Sequence, residues 1–353
     1  MNISSEKRNL LIGGVIVGAI SLALVALGNP KNMGFCIACF IRDTAGAVGL
    51  HRAAVVQYAR PEIIGLVLGA FLISLIRGEF KPRGGSSPML RFVLGAFMMI
   101  GALAFLGCPL RMVIRLSGGD LNALVGLAGF SCGVLCGCYF LNNGFSLGKS
   151  HNLGLGEGVA FPALQSLLLL VLVAFPSVLI FSEKGPGSMR APVLFALVSG
   201  ITVGVLAQRI RMCMAGGIRD IVLFKDFTLI CGPAAIFVTI LVGNLIMGNF
   251  KLGFTGQPVA SPDGLWNFLG MLLCGLCAAL LGGCPLRQLI LSGEGNTDSA
   301  VSCLGMLVGA AFAHNWGLAS SGDGSTLRGH VAVIFGLVVV TAIAFIQMRR
   351  KEA

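Results

Sequence analysis

Charged residues are scarce in this chain, and their scarcity excludes an ordinary soluble domain. Only 11% of the 353 residues are Asp, Glu, Lys or Arg, whereas soluble globular domains carry about 25%. Hydrophobic residues make up 56% of the sequence, and they recur in runs of about 20, the length that a helix needs to cross a bilayer. The composition therefore predicts an all-α polytopic membrane protein embedded in a lipid bilayer.

The sequence also lacks the motifs of common enzymes and pumps. It contains no Walker motif, no GxGxxG fingerprint, no Ser/His/Asp set and no catalytic carboxylate pair. We therefore expect no catalytic residue, no metal site and no cofactor, and neither an enzyme nor an ATP-driven pump. Because cytoplasmic loops of membrane proteins collect Lys and Arg, the net charge of +11 does not call for a nucleic-acid partner.

The twelve cysteines do not form the pattern of a disulfide framework. Most of them lie within apolar runs, where Cys usually serves as a small hydrophobic residue, and not in the loop-rich small domains that disulfides stabilise. Cys36 and Cys39 form a C-x-x-C pattern, but Gly216 stands where the second half would repeat Cys39. Redox or metal chemistry at this pair is therefore the weaker interpretation.

Ten apolar runs predict helical spans, and polar, Gly-rich or Pro-rich stretches separate them. The first run follows Lys7 and Arg8 and resembles a signal peptide, but the internal repeat uses this segment, which favours a first membrane helix. The predicted spans are residues 10–27, 61–76, 89–107, 121–141, 159–182, 191–207, 227–248, 265–283, 299–317 and 329–346.

Two motifs occur twice, which predicts that the chain contains two copies of one unit. The stretch "CIACFIRD" at 36–43 is matched by "CMAGGIRD" at 213–220. The stretch "GCPLR" at 107–111 recurs at 283–287. The first motif recurs after 177 residues and the second after 176, so the two pairs share one offset.

Each unit contains five spans, an odd number, so the second unit enters the membrane from the opposite side. This predicts an inverted repeat of residues 1–182 and 183–353 within one integrated membrane domain, the plan of many secondary transporters. The motif segments are short and polar, so we expect four re-entrant helical hairpins that are shielded from lipid. These are residues 34–46 and 108–118 from the outer face and 208–220 and 284–294 from the cytoplasmic face.

The basic residues predict that both termini are cytoplasmic, in agreement with the positive-inside rule. The bias is modest, because basic residues are also expected outside. The cytoplasmic set is Lys7, Arg8, Arg77, Lys81, Arg83, Lys149 and the tail "RRK" at 349–351, and the outer set is Arg52, Arg60, Lys184, Arg190, Lys251 and Arg328.

The CPLR motif is typical of a helix start, because Pro is favoured at the first helical position. Cys108 and Cys284 then occupy N-cap positions, where Cys is a poor capping residue, so the thiols are expected to serve another purpose. Free N–H groups at a helix start attract anions. Arg111 and Arg287 either pack against carbonyls of the return loop or attract an anionic solute to the mouth.

The IRD motif places Arg42 and Asp43 in the first half and Arg219 and Asp220 in the second. Charges at membrane depth are costly and usually paired. These residues are expected either to tie the hairpins to the bundle by salt bridges or to take part in substrate passage. A path of polarizable thiols suits a soft solute, and arginines suit an anionic end, so a thiosulfate-like ion matches both.

The paired CPLR hairpins, the Cys-containing IRD segments and the helical inverted repeat resemble the YeeE/YedE family of membrane transporters over essentially the whole chain. The resemblance implies import of thiosulfate or a related sulfur compound through a cysteine-lined central path. Carried over by motif, the path thiols are Cys36, Cys108, Cys213 and Cys284. The supporting residues are Cys39, Arg42, Asp43, Arg111, Arg219, Asp220 and Arg287.

Within that family the chain looks most like the YedE branch associated with selenium metabolism, so the expected cargo is a small sulfur- or selenium-containing anion. The branch implies a small TusA/SirA-like sulfur-carrier partner, and the family implies the bacterial cytoplasmic (inner) membrane. Two alternatives stay open. One is a membrane sulfurtransferase in which Cys284 accepts a persulfide; the other is a general small-solute pore, against which the arginines argue.

Overall fold

A computed structural model describes residues 4–349, and these residues are mostly α-helical. Arg350 and Lys351 of the basic tail lie outside the described residues. Two short antiparallel strands, β1 (Arg83–Gly84) and β2 (His151–Asn152), pair with each other. The helices are α1 (Ser5–Ala26), α2 (Ile37–Ala47), α3 (Pro61–Ile76), α4 (Pro88–Phe105), α5 (Pro109–Ser117), α6 (Leu121–Asn142), α7 (Leu155–Ala174), α8 (Val193–Arg209), α9 (Met214–Phe224), α10 (Cys231–Ile246), α11 (Gly264–Leu280), α12 (Pro285–Gly293), α13 (Thr297–Asn315) and α14 (Leu327–Arg349).

The prediction of a mostly helical, multi-pass protein is confirmed, and each of the ten predicted apolar runs overlaps a helix, although the run 159–182 extends beyond the end of α7 at Ala174. Within the described residues, seven helical segments are long and apolar enough to cross a membrane. Helices α3 and α10 are apolar but shorter, with 16 residues each, or about 24 Å of helix. The number of ten crossings therefore stays a prediction. The seven segments are Ser5–Ala26, Pro88–Ser117, Leu121–Asn142, Leu155–Ala174, Val193–Phe224, Gly264–Gly293 and Leu327–Met348.

The four motif segments fold as short helices, each starting directly after a motif cysteine. The N-cap residues of α2, α5, α9 and α12 are Cys36, Cys108, Cys213 and Cys284. Every residue of α2 is buried, whereas α9 is buried only over its first four residues. Helix α9 also continues to Phe224, beyond the expected end at residue 220.

Glycines allow four pairs of long helices to approach closely: α3 with α8, α1 with α10, α6 with α11, and α4 with α13. In the first pair, a Cβ added at Gly204 would collide with the carbonyl oxygen of Leu66, and one at Gly69 with that of Ile201. Small residues are the usual means of close packing between membrane helices. The high glycine content thus determines which helices can be neighbours.

The same contacts recur when α1–α7 are matched in order with α8–α14. The pair α3/α8 then corresponds to α10/α1, and α6/α11 corresponds to α13/α4. The contact of α5 with α10 likewise corresponds to that of α12 with α3. Two copies of one structural unit would produce these recurring contacts. The inverted repeat itself stays a prediction.

The connecting segments gather in two sets. The first, the lid end, comprises residues 27–34, 48–60, 180–191 and 249–263; here Asn29 Oδ1 accepts a hydrogen bond from the Ala191 N–H at 3.0 Å. The second, the vestibule end, comprises residues 77–85, 148–154, 208–211 and 294–297. There the Lys81 N–H donates to the carbonyl of Glu294 at 3.0 Å. The two ends differ in packing, and this difference positions the candidate site.

The glycine packing can be tested with Gly204→Ala. A methyl group at this position meets the α3 backbone, so we expect a loss of about 1–3 kcal/mol of stability and a lower melting temperature of the purified protein. Gly156→Ala is the matched control, because no atom lies within 4 Å of its added Cβ. If both variants melt at the wild-type temperature, this account of the α3–α8 contact is wrong.

Candidate functional site

Two motif cysteines of the second half form a thiol pair. The Cys213 sulfur accepts a hydrogen bond from the Gly216 N–H at 3.2 Å and thereby caps α9. Cys284, at the N-cap of α12, makes no capping hydrogen bond. Its sulfur lies 3.9 Å from the Cys213 sulfur instead. The starts of two short helices thus bring two thiols together in one place.

The first half contains the equivalent pair. The Cys36 sulfur accepts from the Cys39 N–H at 3.3 Å and caps α2, and Cys108 lies at the N-cap of α5 without a capping bond. Cys36 and Cys108 are both buried, at 0% and 1% exposure, and we call them the first thiol pair. The N-cap prediction for Cys108 and Cys284 is confirmed, while the capping by Cys36 and Cys213 was missed because Cys ranks low as a cap.

The two IRD motifs have different surroundings. Asp43 is completely buried and pairs with two arginines, Arg42 at 2.7 Å and Arg60 at 2.8 Å. Arg219 and Asp220 pair with each other at 2.8 Å but are partly exposed, at 34% and 14%. Both pairs therefore form salt bridges, and Arg219 and Asp220 also line a cavity. Sequence reasoning did not single out Arg60, which has no equivalent in the shorter second loop.

Arg111 is completely buried and surrounded by acceptors. Its Nε donates to the carbonyl of Asn32 at 2.8 Å, and its Nη2 donates to that of Val259 at 2.6 Å. Its Nη1 contacts the carbonyl of Leu106 and donates to the Cys39 sulfur at 3.0 Å. Of the two roles expected for this residue, packing against loop carbonyls describes its contacts in this structure.

Arg287, the equivalent of Arg111, has different surroundings. It pairs with Glu294 at 3.2 Å, and its side chain is 16% exposed. It lines two adjoining cavities at the vestibule end, of about 380 Å³ and 500 Å³, both of which also contact Arg211. We call these cavities the vestibule. The smaller one reaches Cys213, whereas the equivalent Cys36 is fully buried.

The vestibule carries charges of both signs, most of them in pairs. Glu79 pairs with Arg209 at 3.0 Å and accepts a hydrogen bond from Gln208 at 2.8 Å. These contacts, the Gln208 bond first, hold the pKa of Glu79 below its usual value, so Glu79 stays ionised at neutral pH. Arg211 is exposed and forms no ion pair among the described residues.

Two backbone positions exchange glycine for a larger residue between the halves. Gly34 and its equivalent Arg211 both have left-handed φ angles, 41° and 51°. Leu106 and its equivalent Gly282 also have left-handed φ angles, 62° and 79°. Leu106 is buried against Arg111, while Gly282 lines the vestibule. Near the second thiol pair, therefore, Arg211 stands where the first half has a glycine, and Gly282 stands where the first half has a leucine.

One side-chain cluster brings a Ser, a His and an Asp together. Ser325 Oγ donates to Asp263 at 2.5 Å and lies 2.7 Å from His330 Nε2. His330 in turn stacks on Trp266 at 3.6 Å. Because the hydroxyl proton goes to the carboxylate and not to the histidine, this arrangement does not activate the serine as a nucleophile. It ties the start of α14 to the start of α11.

A further buried ion pair was not anticipated. Arg115 and Asp120 are both fully buried and lie 2.7 Å apart, and the Arg115 guanidinium stacks 4.0 Å from the Phe105 ring centroid. Leu291 and Asn296 stand at the equivalent positions of the second half. Arg115 lies in the last turn of α5, and Asp120 lies at the N-cap of α6, so the pair closes the short connection between these two helices. In the described residues, no group of three or more His, Cys, Asp or Glu is arranged to hold a metal ion.

Comparison with known families gives one match. A family model described as sulphur transport matches residues 2–108 and 209–350, most of the chain. The matched residues include all four motif cysteines, and the match does not distinguish a selenium branch. No curated protein matches the chain.

The different burial of the two thiol pairs predicts different reactivity. A charged methanethiosulfonate reagent should modify Cys213, which is 6% exposed at the vestibule, faster than the completely buried Cys36. Peptide mapping by mass spectrometry of the purified protein would measure both rates, with the buried helix residue Cys277 as an unreactive reference. Equal modification of Cys36 and Cys213 would contradict the structural difference between the halves.

Proposed function

The chain belongs to the sulphur-transport (YeeE/YedE) family, and we propose that it imports a small sulfur- or selenium-containing anion past Cys36, Cys108, Cys213 and Cys284. The observation that carries this proposal is the Cys213–Cys284 thiol pair at the end of a cavity lined by arginines. Thiols offer weak, polarizable contacts, and arginine suits a charged end. A thiosulfate-like ion combines both characters.

We further propose that residues 1–182 and 183–353 form an inverted repeat and that α2, α5, α9 and α12 are re-entrant. The recurrence of helix contacts and the N-cap cysteines of all four short helices support this. Non-helical backbone at membrane depth needs shielding from lipid, which the burial of α2 illustrates. The vestibule end, which gathers Lys81 and Arg83, then faces the cytoplasm together with both termini.

With this orientation, the structure corresponds to a state that is open toward the cytoplasm. The lid-end thiols, Cys36 and Cys108, are buried, and the cytoplasmic Cys213 adjoins the vestibule. The anion passes from the first thiol pair to the second by successive contacts, with local movements of the short helices. In the bacterial cytoplasmic membrane, a small TusA/SirA-like sulfur-carrier protein is the proposed partner on the cytoplasmic side.

Uptake into liposomes tests the proposal. Cys108→Ala or Cys284→Ala should reduce uptake of labelled thiosulfate by ~10-fold or more, because a contact to the anion worth about 1.4 kcal/mol or more is lost. Cys274→Ala is the matched control, since this thiol is equally buried but lies within α11. Competition by selenium analogues of thiosulfate would show which of these anions the protein prefers.

Two outcomes would overturn this proposal. Wild-type uptake in the Cys108→Ala and Cys284→Ala variants would mean that the thiols do not line the path. A persulfide mass shift on Cys284 without uptake would instead indicate the sulfurtransferase.

Arg211 offers a second test, because an arginine in a left-handed conformation costs about 1–2 kcal/mol and persists where function requires it. Arg211→Gly should raise the melting temperature and also raise the KM for thiosulfate by about tenfold, the loss of one charged contact. Lys225→Gly is the control: Lys225 has a similar left-handed φ, 54°, and is not among the residues that line the vestibule, so only the stability of this variant should rise. An unchanged KM in Arg211→Gly would exclude this residue from anion binding.

A further inference from the structure

Glu62 is a buried carboxylate at the lid end that the proposed path does not use. It is the second residue of α3 and is 1% exposed. Its Oε1 accepts a hydrogen bond from Asn29 Nδ2 at 2.9 Å. Its Oε2 has no hydrogen-bond partner among the described residues. Leaving a buried polar atom without a partner is costly, so this oxygen calls for an explanation.

The neighbouring cation does not neutralise Glu62. The Arg60 guanidinium pairs with Asp43 at 2.8 Å and donates to the carbonyls of Pro186 at 2.9 Å and Met189 at 3.2 Å. In the part of the chain that the structure describes, Glu62 belongs to no ion pair. An unpaired carboxylate in a protein interior is far more costly than the neutral acid. Burial therefore favours a proton on Glu62.

Other groups near Glu62 favour loss of that proton. The N-terminus of α3 stabilises a negative charge in its first turn, and the Asn29 amide donates a hydrogen bond to the carboxylate. Burial acts in the opposite direction. Arg190 faces the Tyr58 ring at 4.7 Å. The Tyr58 hydroxyl is itself buried and unpartnered within the described residues. Burial favours the protonated acid, and the helix N-terminus and the Asn29 hydrogen bond favour the carboxylate. A carboxyl group in such surroundings is suited to bind a proton and to release it again.

A short chain of contacts connects Glu62 to the first thiol pair. The same Asn29 amide that donates to Glu62 also donates to the carbonyl of Gly34 at 3.2 Å. Gly34 has a left-handed φ of 41° and lies two residues before Cys36. A movement of the segment that positions Cys36 therefore alters the Asn29–Glu62 contact.

We propose that Glu62 binds a proton from the outer side and that this proton enters the cell with the transported anion. This inference rests on the proposed function. A proton that accompanies the anion reduces the negative charge moved against an inside-negative membrane potential. Each cycle takes one proton from the outer solution onto Glu62 and releases it on the cytoplasmic side. Glu62 returns to its starting state, and no bond is broken other than the one to that proton.

The test uses the full chain in liposomes that contain a trapped pH-sensitive dye. Added thiosulfate should acidify the lumen with the wild-type protein, and uptake should rise as the external pH falls. Glu62→Gln, which mimics the neutral acid, should abolish the acidification and the dependence on external pH. Glu62→Asp should retain acidification. The matched control is Glu183→Gln, an exposed glutamate near the lid end, which should behave as the wild type.

Exchange of labelled thiosulfate at equal pH on both sides separates this inference from the proposed function. Exchange by wild type and by Glu62→Gln, with acidification only in the wild type, would establish both. Exchange without any wild-type acidification, or undiminished acidification in Glu62→Gln, would overturn the role of Glu62 alone. Absence of exchange in the wild type would overturn thiosulfate transport itself.

Discussion

A helix that begins inside a packed interior leaves its first backbone N–H groups without partners, and the rest of this structure depends on how four such helix starts are satisfied. Proline at the first position of α5 and α12 removes one donor. In α2 and α9 the N-cap sulfur accepts from the third N–H. These arrangements stabilise the helix starts and also concentrate sulfur and positive potential at the centre of the protein.

The positive charges of the motif arginines are compensated differently in the two halves. In the first half the motif arginines Arg42 and Arg111 are buried, and their donors are taken up by a carboxylate and by loop carbonyls. In the second half Arg219 and Arg287 remain partly exposed to the vestibule. Breaking a buried charge contact is costly, whereas exposed pairs contribute little. The lid end is thus held closed by polar contacts, and the vestibule end is not.

The sequence alone predicted the helices and the N-cap positions of Cys108 and Cys284, because hydrophobic period and proline placement are local signals. It did not predict which half is closed. That difference arises from Val259 and Pro186, which supply carbonyls to Arg111 and Arg60 across long sequence separations. It also arises from the left-handed conformation of Arg211, which no residue preference indicates. Glu62 was missed for the same reason, since only the fold shows that its neighbouring arginine pairs elsewhere.

Opening the lid end requires Arg111 to leave its acceptors, and the proposed substrate supplies a replacement. Arg111 is bound by the carbonyls of Asn32, Leu106 and Val259, and a buried arginine without acceptors is strongly unfavourable. Water or an anion must therefore enter as these bonds break, and a charged acceptor forms the stronger bonds. The anion that opens the first half would then lie next to Cys39 and the first thiol pair. In the proposed transport cycle, the substrate would itself replace the contacts that Arg111 loses, which fits the proposal that only the short helices move.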